Sequence, residues 1–382
     1  MSTGIVLLST TLGWGGTEGE AVRLACEYAR RGLSPSFIVD EPPLHRLPVL
    51  EKAGITVTVL GVTPDWSSAQ YRAALADAMT KADARVLHGH VWERIDDILA
   101  TANKLNVPAA LTMHTTISRA WRFRLGLVGN PMRYARWRRA YAEFDPVVIG
   151  ISDLSDANFR VLHPRVTRTR RIYYGAETPP EPVDVHTGGD GPQVLWVGSF
   201  TSRKRPLWAL EAWARVLAKH PNAHLAMIGD GPQMDDAKRV VKNLPPSSVT
   251  LVGNTPDVPD YLHRSQILLH TALREGIPTV VIQAVNYGLP IVACNAGAMA
   301  EAVVEGQSGY LTGFDEMDKV ADRLGALIDD PTKRAAMGKA ARTLGERTFG
   351  LERYVDETLS VYTDLCGLNL SKSATIYEHT SR

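Results

Sequence analysis

The chain has 382 residues, 45% of them hydrophobic, and carries a formal net charge of +1 at pH 7. This length favours two domains, each large enough to bury its own core. The sequence has no run of about 18 apolar residues, which excludes a membrane-spanning helix. The balanced charge argues neither for nor against binding to nucleic acid.

The cysteines and the N-terminal residues bear on the cellular compartment. Cys26, Cys294 and Cys366 lie far apart in the sequence and form no metal-ligand or redox spacing. We interpret them as inert thiols, and their odd number suits a reducing cytoplasm. The N-terminal residues lack the basic start of a signal peptide, and glycines interrupt their apolar run. We therefore expect a cytoplasmic protein.

The first half of the chain alternates between short apolar runs and helical patterns. The runs cover residues 5–8, 37–39, 57–60, 86–88, 110–113 and 147–151. Helical patterns lie between most of them, around residues 67–81 and 93–105. This alternation predicts an open parallel sheet with helices on both faces, whose ligands bind at the carboxyl ends of the strands.

A glycine loop, Gly13-Trp14-Gly15-Gly16, follows the first apolar run and precedes a helical pattern that stops at Gly32. Glycines let a backbone come close to an anion, and the start of a helix favours negative charge. The pattern is equally typical of a tight turn that binds nothing.

Polar residues follow several of the predicted strands. His88, His90, His114 and Ser152 all fall at such strand ends. Two histidines two residues apart, with no third ligand nearby in sequence, argue against a metal pair at His88 and His90. Position alone leaves His114 as a loop histidine bonded to the backbone.

Residues 119–139 combine seven arginines with aromatic side chains. The arginines are Arg119, Arg122, Arg124, Arg133, Arg136, Arg138 and Arg139. Such a stretch can lie on an anionic membrane surface, bind a phosphorylated acceptor, bind nucleic acid, or form a solvated basic helix. We favour recognition of an acceptor or an interface, because neither a nucleic-acid-reading motif nor an overall basic charge accompanies it.

Residues 176–192 are rich in proline and glycine and read as a linker. A second alternating series follows, with apolar runs at residues 194–197, 225–228, 249–252, 267–269 and 291–293 and helical patterns at 206–219, 233–243, 257–264 and 278–287. We therefore predict domains at residues 1–175 and 193–350, a helix at 351–368 and a polar tail at 369–382.

The stretch from Arg274 to Pro290 carries the strongest single signal. Glu275 and Gly276 follow an apolar run, Pro278 suits a first helical turn, and Gly288 suits a helix end. The segment between them has one apolar stripe at helical spacing. The pattern predicts an acidic residue beside a helix N-terminus, which is a site for an anion such as a diphosphate.

This stretch resembles the E-x7-E signature of family-4 retaining glycosyltransferases of the GT-B fold. The signature reads E-G-F/I-P, four residues, E-A, and then G-L/F-P-V/I-V-A. The chain has Glu275-Gly276-Ile277-Pro278, then Gln283-Ala284, then Gly288-Leu289-Pro290-Ile291-Val292-Ala293. The second glutamate is replaced by Gln283. The resemblance is near-continuous over residues 193–312 and patchier over residues 1–175.

Two further segments depart from the family pattern. In G-R-L/F-x-x-x-K-G, Lys204 stands on the lysine but Ser199 stands on the arginine, and Arg203 or Arg205 is a candidate for the missing charge. Tyr174 replaces the asparagine of N-G-V-D.

The resemblance implies an α/β protein of the GT-B fold, with two doubly wound, Rossmann-like domains facing each other across a cleft. The helix at 351–368 would cross back to the first domain. It implies a retaining hexosyltransferase that uses a UDP- or GDP-sugar and an unidentified acceptor, with neither cofactor nor metal. A nucleotide-sugar epimerase and a weakened, sugar-nucleotide-binding homologue remain alternatives.

The resemblance also implies roles for particular residues. Glu275 and His114 would be catalytic. The donor would contact Gly15, Gly16, Ser199, Arg203, Lys204, Gly253, Gly276, Ile277, Pro278, Thr279 and Gln283. No nucleic acid is expected as a partner. Contact of the arginine stretch with an anionic membrane would place the protein peripherally at the inner face of the membrane.

Overall fold

A computed structural model describes residues 3–91, 93–114, 131–180 and 193–367. Its contacts divide the chain into two compact units. The first comprises Met1–Tyr173 together with Glu352–Arg382, and the second comprises Tyr174–Leu351.

The first unit is built on a parallel sheet with strand order β3-β2-β1-β4-β5-β6-β7. The strands are β1 Ile5–Ser9, β2 Ser36–Val39, β3 Thr56–Val59, β4 Val86–His90, β5 Ala109–Met113, β6 Val147–Gly150 and β7 Thr169–Arg171. Strand β7 was not predicted, because its sequence, Thr-Arg-Arg, has no apolar run.

Helices connect these strands and bury their apolar faces against the sheet. They are α1 Gly16–Arg30, α2 Leu47–Lys52, α3 Ser68–Lys81, α4 Ile95–Lys104, α5 Pro131–Phe144 and α6 Asp153–Leu162. The C-terminal helix α13, Leu351–Cys366, also packs within this unit. Its Tyr362 hydroxyl lies 3.2 Å from that of Tyr28 on α1, and both rings are fully buried.

The second unit has a parallel sheet with strand order β10-β9-β8-β11-β12-β13. The strands are β8 Val194–Val197, β9 Leu225–Ile228, β10 Val249–Gly253, β11 Ile267–His270, β12 Ile291–Cys294 and β13 Gly309–Thr312. Strand β13 was not predicted, since Gly309 opens it. A Cβ atom on Gly309 would lie 2.2 Å from the carbonyl oxygen of Ile291, so this strand approaches β12 too closely for any other residue there.

The helices of the second unit are α7 Pro206–Leu217, α8 Met234–Val241, α9 Val258–Arg264, α10 Thr279–Tyr287, α11 Met317–Asp329 and α12 Pro331–Thr348. Helix α10 begins at Thr279, so Pro278 is its N-cap rather than its first helical residue. It ends at Gly288, whose φ of 77° gives the left-handed conformation expected of a C-terminal glycine.

Both units are doubly wound, and the predicted fold class is confirmed. In each sheet the direction of winding reverses between two adjacent strands, β1 and β4 in the first and β8 and β11 in the second. Open α/β sheets bind ligands beyond the carboxyl ends of the strands at such a switch point. The loops that leave these four strands are therefore where a site is expected.

Candidate active site

At the switch point of the second sheet, hydrogen bonds join the loop after β8 to the loop after β11. The Thr271 hydroxyl donates to the carbonyl of Lys204 at 2.8 Å and accepts from Trp196 Nε1 at 2.9 Å. The N–H of Leu273 donates to the carbonyl of Arg203 at 2.9 Å. These bonds fix both cationic residues beside the segment that carries Glu275.

Glu275 lies at the centre of a compact charged cluster. Its Oε1 atom is 2.6 Å from Lys204 Nζ, 2.8 Å from Arg203 Nη1 and 3.8 Å from His270 Nε2. The Glu275, Lys204 and His270 side chains are nearly buried, whereas 44% of the Arg203 side chain is exposed. Two cations thus surround one carboxylate at the edge of the sheet.

The cluster holds Glu275 ionised. Burial alone raises the pKa of this carboxyl, but contact with His270 and the charges of Lys204 and Arg203 outweigh it and lower the pKa to about 2. Burial lowers the pKa of Lys204, with the Glu275 charge opposing that shift. Burial also lowers the pKa of His270 below its ordinary value, so its imidazole is neutral at pH 7.

The N-terminus of α10 adjoins Glu275. The first helical hydrogen bonds are donated by Val281 and Ile282 to the carbonyl of Pro278. Among the described residues, the N–H groups of Gly276 and Ile277 donate to no backbone carbonyl. The helix dipole and these N–H groups favour an anion at this end of α10.

The other donor-binding candidates of the second unit differ in position. Ser199 is exposed, with its hydroxyl 3.4 Å from that of Thr201. Gly253 ends β10 with a φ of 80°. Gln283 lies half-buried on α10, where none of the described residues hydrogen-bonds its side chain.

Of the two candidates for the missing family arginine, only Arg203 lies in the cluster. Arg205 instead donates to the carbonyl of Phe314 at 2.6 Å and stacks on Trp208. Its φ of 58° places a non-glycine residue in the left-handed region. Such strain persists where surrounding contacts hold the backbone, and here it sets the turn that presents Lys204.

In the first unit, Gly15 is the N-cap of α1, Gly16 is its first residue, and both are exposed. A Cβ atom on Gly15 would lie 2.1 Å from Oε2 of Glu18. The Glu18 carboxylate therefore lies at this helix start, where it also accepts a hydrogen bond from the Thr11 hydroxyl at 3.3 Å. An incoming diphosphate would meet that charge, which the sequence pattern did not take into account.

His114 follows β5 and lies half-buried, in a row with the buried His88 and His90. The ring centroids of His88 and His90 are 4.3 Å apart, and those of His90 and His114 are 5.0 Å apart. Burial lowers the pKa of each, to about 3 for His90. All three imidazoles are therefore neutral at physiological pH, which lets them pack against one another without charge repulsion.

The sequence interpretation missed two features of these sites. His270 ends β11, directly after the predicted apolar run, and its place at a strand end was a signal that could have marked it. Tyr362 lies 2.5 Å from Nδ1 of His88 but is 274 residues away in sequence, so no local pattern could have paired them.

The basic stretch at residues 119–139 is only partly described, since residues 119–130 lie outside the described residues. On α5, Arg136 Nε donates to Asp96 at 2.7 Å, and Arg133 lies over the Trp137 ring. The Met132 side chain nearby is 74% exposed. The described part of the stretch is thus a surface helix with some of its arginines bonded within the protein.

Across residues 3–91, 93–114, 131–180 and 193–367, no group of three or more histidine, cysteine or carboxylate side chains is arranged to hold a metal ion. Within the same part of the chain, every helix is too short or too polar to cross a membrane.

Known families and curated proteins match this chain over part of its length. Residues 181–344 match the model of the family described as glycosyl transferases group 1. An uncharacterized glycosyltransferase of Haemophilus influenzae is 31% identical over 166 residues, which are 43% of this chain and 47% of that protein. The N-acetyl-alpha-D-glucosaminyl L-malate synthase of Bacillus anthracis is 27% identical over 173 residues, 45% of each chain. The chain thus spans about half the length of these curated relatives.

Solved structures match over nearly the whole chain. Anabaena Alr3699/HepE in complex with UDP and glucose has a TM-score of 0.80 at 20% identity, covering 95% of this chain and 100% of that one. WaaG, a glycosyltransferase involved in lipopolysaccharide biosynthesis, has a TM-score of 0.70 at 17% identity, with the same coverage. These neighbours show the GT-B fold, and the family match covers residues 181–344.

Proposed function

We propose that the protein is a retaining glycosyltransferase that moves a sugar from a UDP- or GDP-sugar to an acceptor hydroxyl. The observation that carries this proposal is the cluster of Glu275, Lys204 and Arg203 beside the N-terminus of α10. It lies at a switch point of a doubly wound sheet, where such folds bind nucleotides. The family match over residues 181–344 supports glycosyl transfer.

The donor diphosphate would bind at the N-terminus of α10. The N–H groups of Gly276 to Thr279 would donate to its oxygens, and Lys204 would contribute charge. A leaving diphosphate gains negative charge during transfer, and a site stabilises it with fixed donors and cations. Lys204 and Arg203 would supply this charge without a metal ion.

Glu275 would bond sugar hydroxyls and stabilise positive charge at the reacting carbon. Its low pKa keeps it anionic throughout the physiological range. His114 would bond and align the transferred sugar, and Gln283 would face the ribose. A glutamine keeps an acceptor oxygen and adds donors, so ribose binding can persist with the family glutamate replaced.

A glycan, a small molecule and a lipid are all candidate acceptors. Exposed arginines of α5 would contact an anionic acceptor or the anionic inner face of the membrane. Co-sedimentation with anionic liposomes at low salt tests the membrane contact. Protein that stays in the supernatant at low salt would count against it.

A donor screen tests the proposed reaction. Thermal shift with UDP, GDP and ADP and their sugars identifies the ligand, and product analysis by NMR then reads the anomeric configuration. We expect a product that keeps the configuration of the donor. An epimerised donor without an acceptor indicates the epimerase, and binding without any product indicates the weakened homologue.

A further inference from the structure

The switch point of the first sheet contains two neighbouring histidines, of which one is hydrogen-bonded at both ring nitrogens and the other at neither. His88 Nδ1 lies 2.5 Å from Tyr362 Oη, and its Nε2 lies 2.7 Å from Thr112 Oγ1. Neither ring nitrogen of His90 has a hydrogen-bond partner among the described residues. Both residues are 1% exposed.

The absence of hydrogen bonds at the His90 ring lowers the stability of the fold. A buried polar atom without a partner loses its hydrogen bonds to water and gains none in return. Native proteins pair nearly all such atoms, and each exception calls for an explanation such as a catalytic role or a bound water or ion. A phenylalanine would fill similar space without that penalty.

The position of His90 is that of a ligand contact. It is the last residue of β4 and pairs in register with Ser9, the last residue of β1. These are the two strands between which the winding reverses. The His90 ring also packs beside His114, which the proposed function places against the sugar.

The donor and acceptor nitrogens of the buried ring indicate which ligand groups it can hydrogen-bond. Burial lowers the pKa of His90 to about 3, so the ring is neutral and offers one N–H donor and one acceptor nitrogen. A hydroxyl group both donates and accepts, and therefore suits this ring. A phosphate oxygen only accepts, so it would leave the acceptor nitrogen unused.

We propose that His90 is a second substrate-contacting histidine of the first unit, and that its ring nitrogens hydrogen-bond hydroxyl groups of the carbohydrate held beside His114. This inference rests on the proposed function. It adds a residue that recognises the sugar rather than the nucleotide.

The test compares His90→Phe with the matched control His88→Phe, because the two rings are neighbours and only one is bonded. We expect His90→Phe to keep or raise the melting temperature, since it removes two unpaired polar atoms. We expect His88→Phe to lower it, since Tyr362 and Thr112 lose their partner. A fall for His90→Phe as large as that for His88→Phe would overturn the inference and make His90 structural.

Binding and turnover give the second readout, with UDP-glucose as the probe and UDP as the control ligand. His90→Phe should lower UDP-glucose affinity and transfer by about tenfold or more while UDP affinity stays unchanged. His90→Gln, which keeps a donor and an acceptor, should restore part of the loss and serves if His90→Phe does not fold. Wild-type behaviour of His90→Phe would show that the ring only packs, with or without an internal water.

The proposed function fails separately. A wild-type protein that binds and converts no UDP- or GDP-sugar removes both the reaction and the role of His90. A wild-type protein that transfers sugar, with His90→Phe equally active, removes only the role of His90.

Discussion

The two switch points have the same topology, but one is lined by charged side chains and the other by neutral histidines. In the second unit, an ionised carboxylate lies between two cations at hydrogen-bond distance. In the first unit, three histidines pack in a row whose pKa values are all lowered by burial. Ion pairs thus organise the cluster of the second unit, whereas the histidine row of the first unit is uncharged.

The difference shows how one architecture serves two tasks. A parallel sheet supplies the position through its strand ends, and the residues that end the strands decide what can bind there. Charges and helix N–H groups suit a diphosphate, whereas neutral imidazoles suit hydroxyl groups. The predictions below test whether this division holds.

The largest effect is expected for Glu275→Gln, which would remove the negative charge that the proposed function places at the reacting carbon. Transfer should fall by about 10²- to 10³-fold, the usual cost of losing one electrostatic contact in a transition state. The measurement is kcat/KM for product formation, with Arg215→Ala, whose surface arginine pairs with Asp318 outside the cluster, as the control. Turnover of Glu275→Gln close to wild type would remove the catalytic role of this residue.

Lys204→Met tests whether the charged edge depends on its ion pair. It removes the nearest cation from the nearly buried Glu275 carboxylate, and we expect a loss of about 3 kcal/mol in the free energy of unfolding. Denaturant titration measures it.

The double variant Lys204→Met with Glu275→Gln should regain most of that loss, because neither buried charge is then left without its counterpart. Additive losses would mean that the two side chains do not stabilise each other in the folded protein.

Acidification should affect the neutral edge more strongly, since it has three histidines of lowered pKa where the charged cluster has His270. The pKa of His90 is lowered from its ordinary value to about 3, so below about pH 6.5 the unfolded chain binds a proton that the folded chain does not. Each such histidine removes about 1.4 kcal/mol of stability per pH unit within that window. Burial lowers the pKa of His88 and His114 in the same direction, so their contributions add to the effect.

Glu275 is protonated only at a lower pH than that at which the histidines lose their contribution. Its pKa of about 2 lies below its ordinary value, so its contribution is complete above about pH 4.5 and is lost only as the pH falls toward 2. Hydrogen exchange of β4 and β5 against β8 should show the first unit opening at the higher pH. His90→Phe should make the pH dependence of stability shallower by one proton, and an unchanged slope would mean that His90 is protonated in the folded state.

The smallest effect is expected for Gln283→Glu, which restores the family residue on α10. A carboxylate accepts ribose hydroxyls more strongly than an amide does, so donor affinity should rise by about tenfold or less. Calorimetry with UDP or GDP measures the change. Weaker nucleotide binding by Gln283→Glu would show that the surroundings of this position suit the amide.

Much of the fold followed from the sequence, because most buried parallel strands are continuous apolar runs. The two missed strands show the limit: β7 consists of Thr-Arg-Arg, and β13 begins with a glycine. The pairing of β13 with β12 requires a close backbone approach at Gly309, and no local sequence pattern predicts that approach.

The charged cluster was partly foreseeable, and for the neutral one the strand-end positions were predicted but the hydrogen bonding was not. Lys204 and Glu275 follow strands that the doubly wound order makes neighbours, so their proximity follows from topology. The Glu18 carboxylate at the start of α1 and the bonds of His88 depend on side-chain direction. A strand-end histidine alone does not reveal whether its nitrogens are bonded.

The C-terminal helix α13 has a consequence for biosynthesis. It belongs to the first unit, and its Tyr362 bonds both Tyr28 and His88. A ribosome therefore releases all of the second unit before it supplies the last helix of the first. Helix α1 keeps the face around Tyr28 uncovered until α13 has been synthesised. The second unit, continuous in sequence, can complete its core earlier.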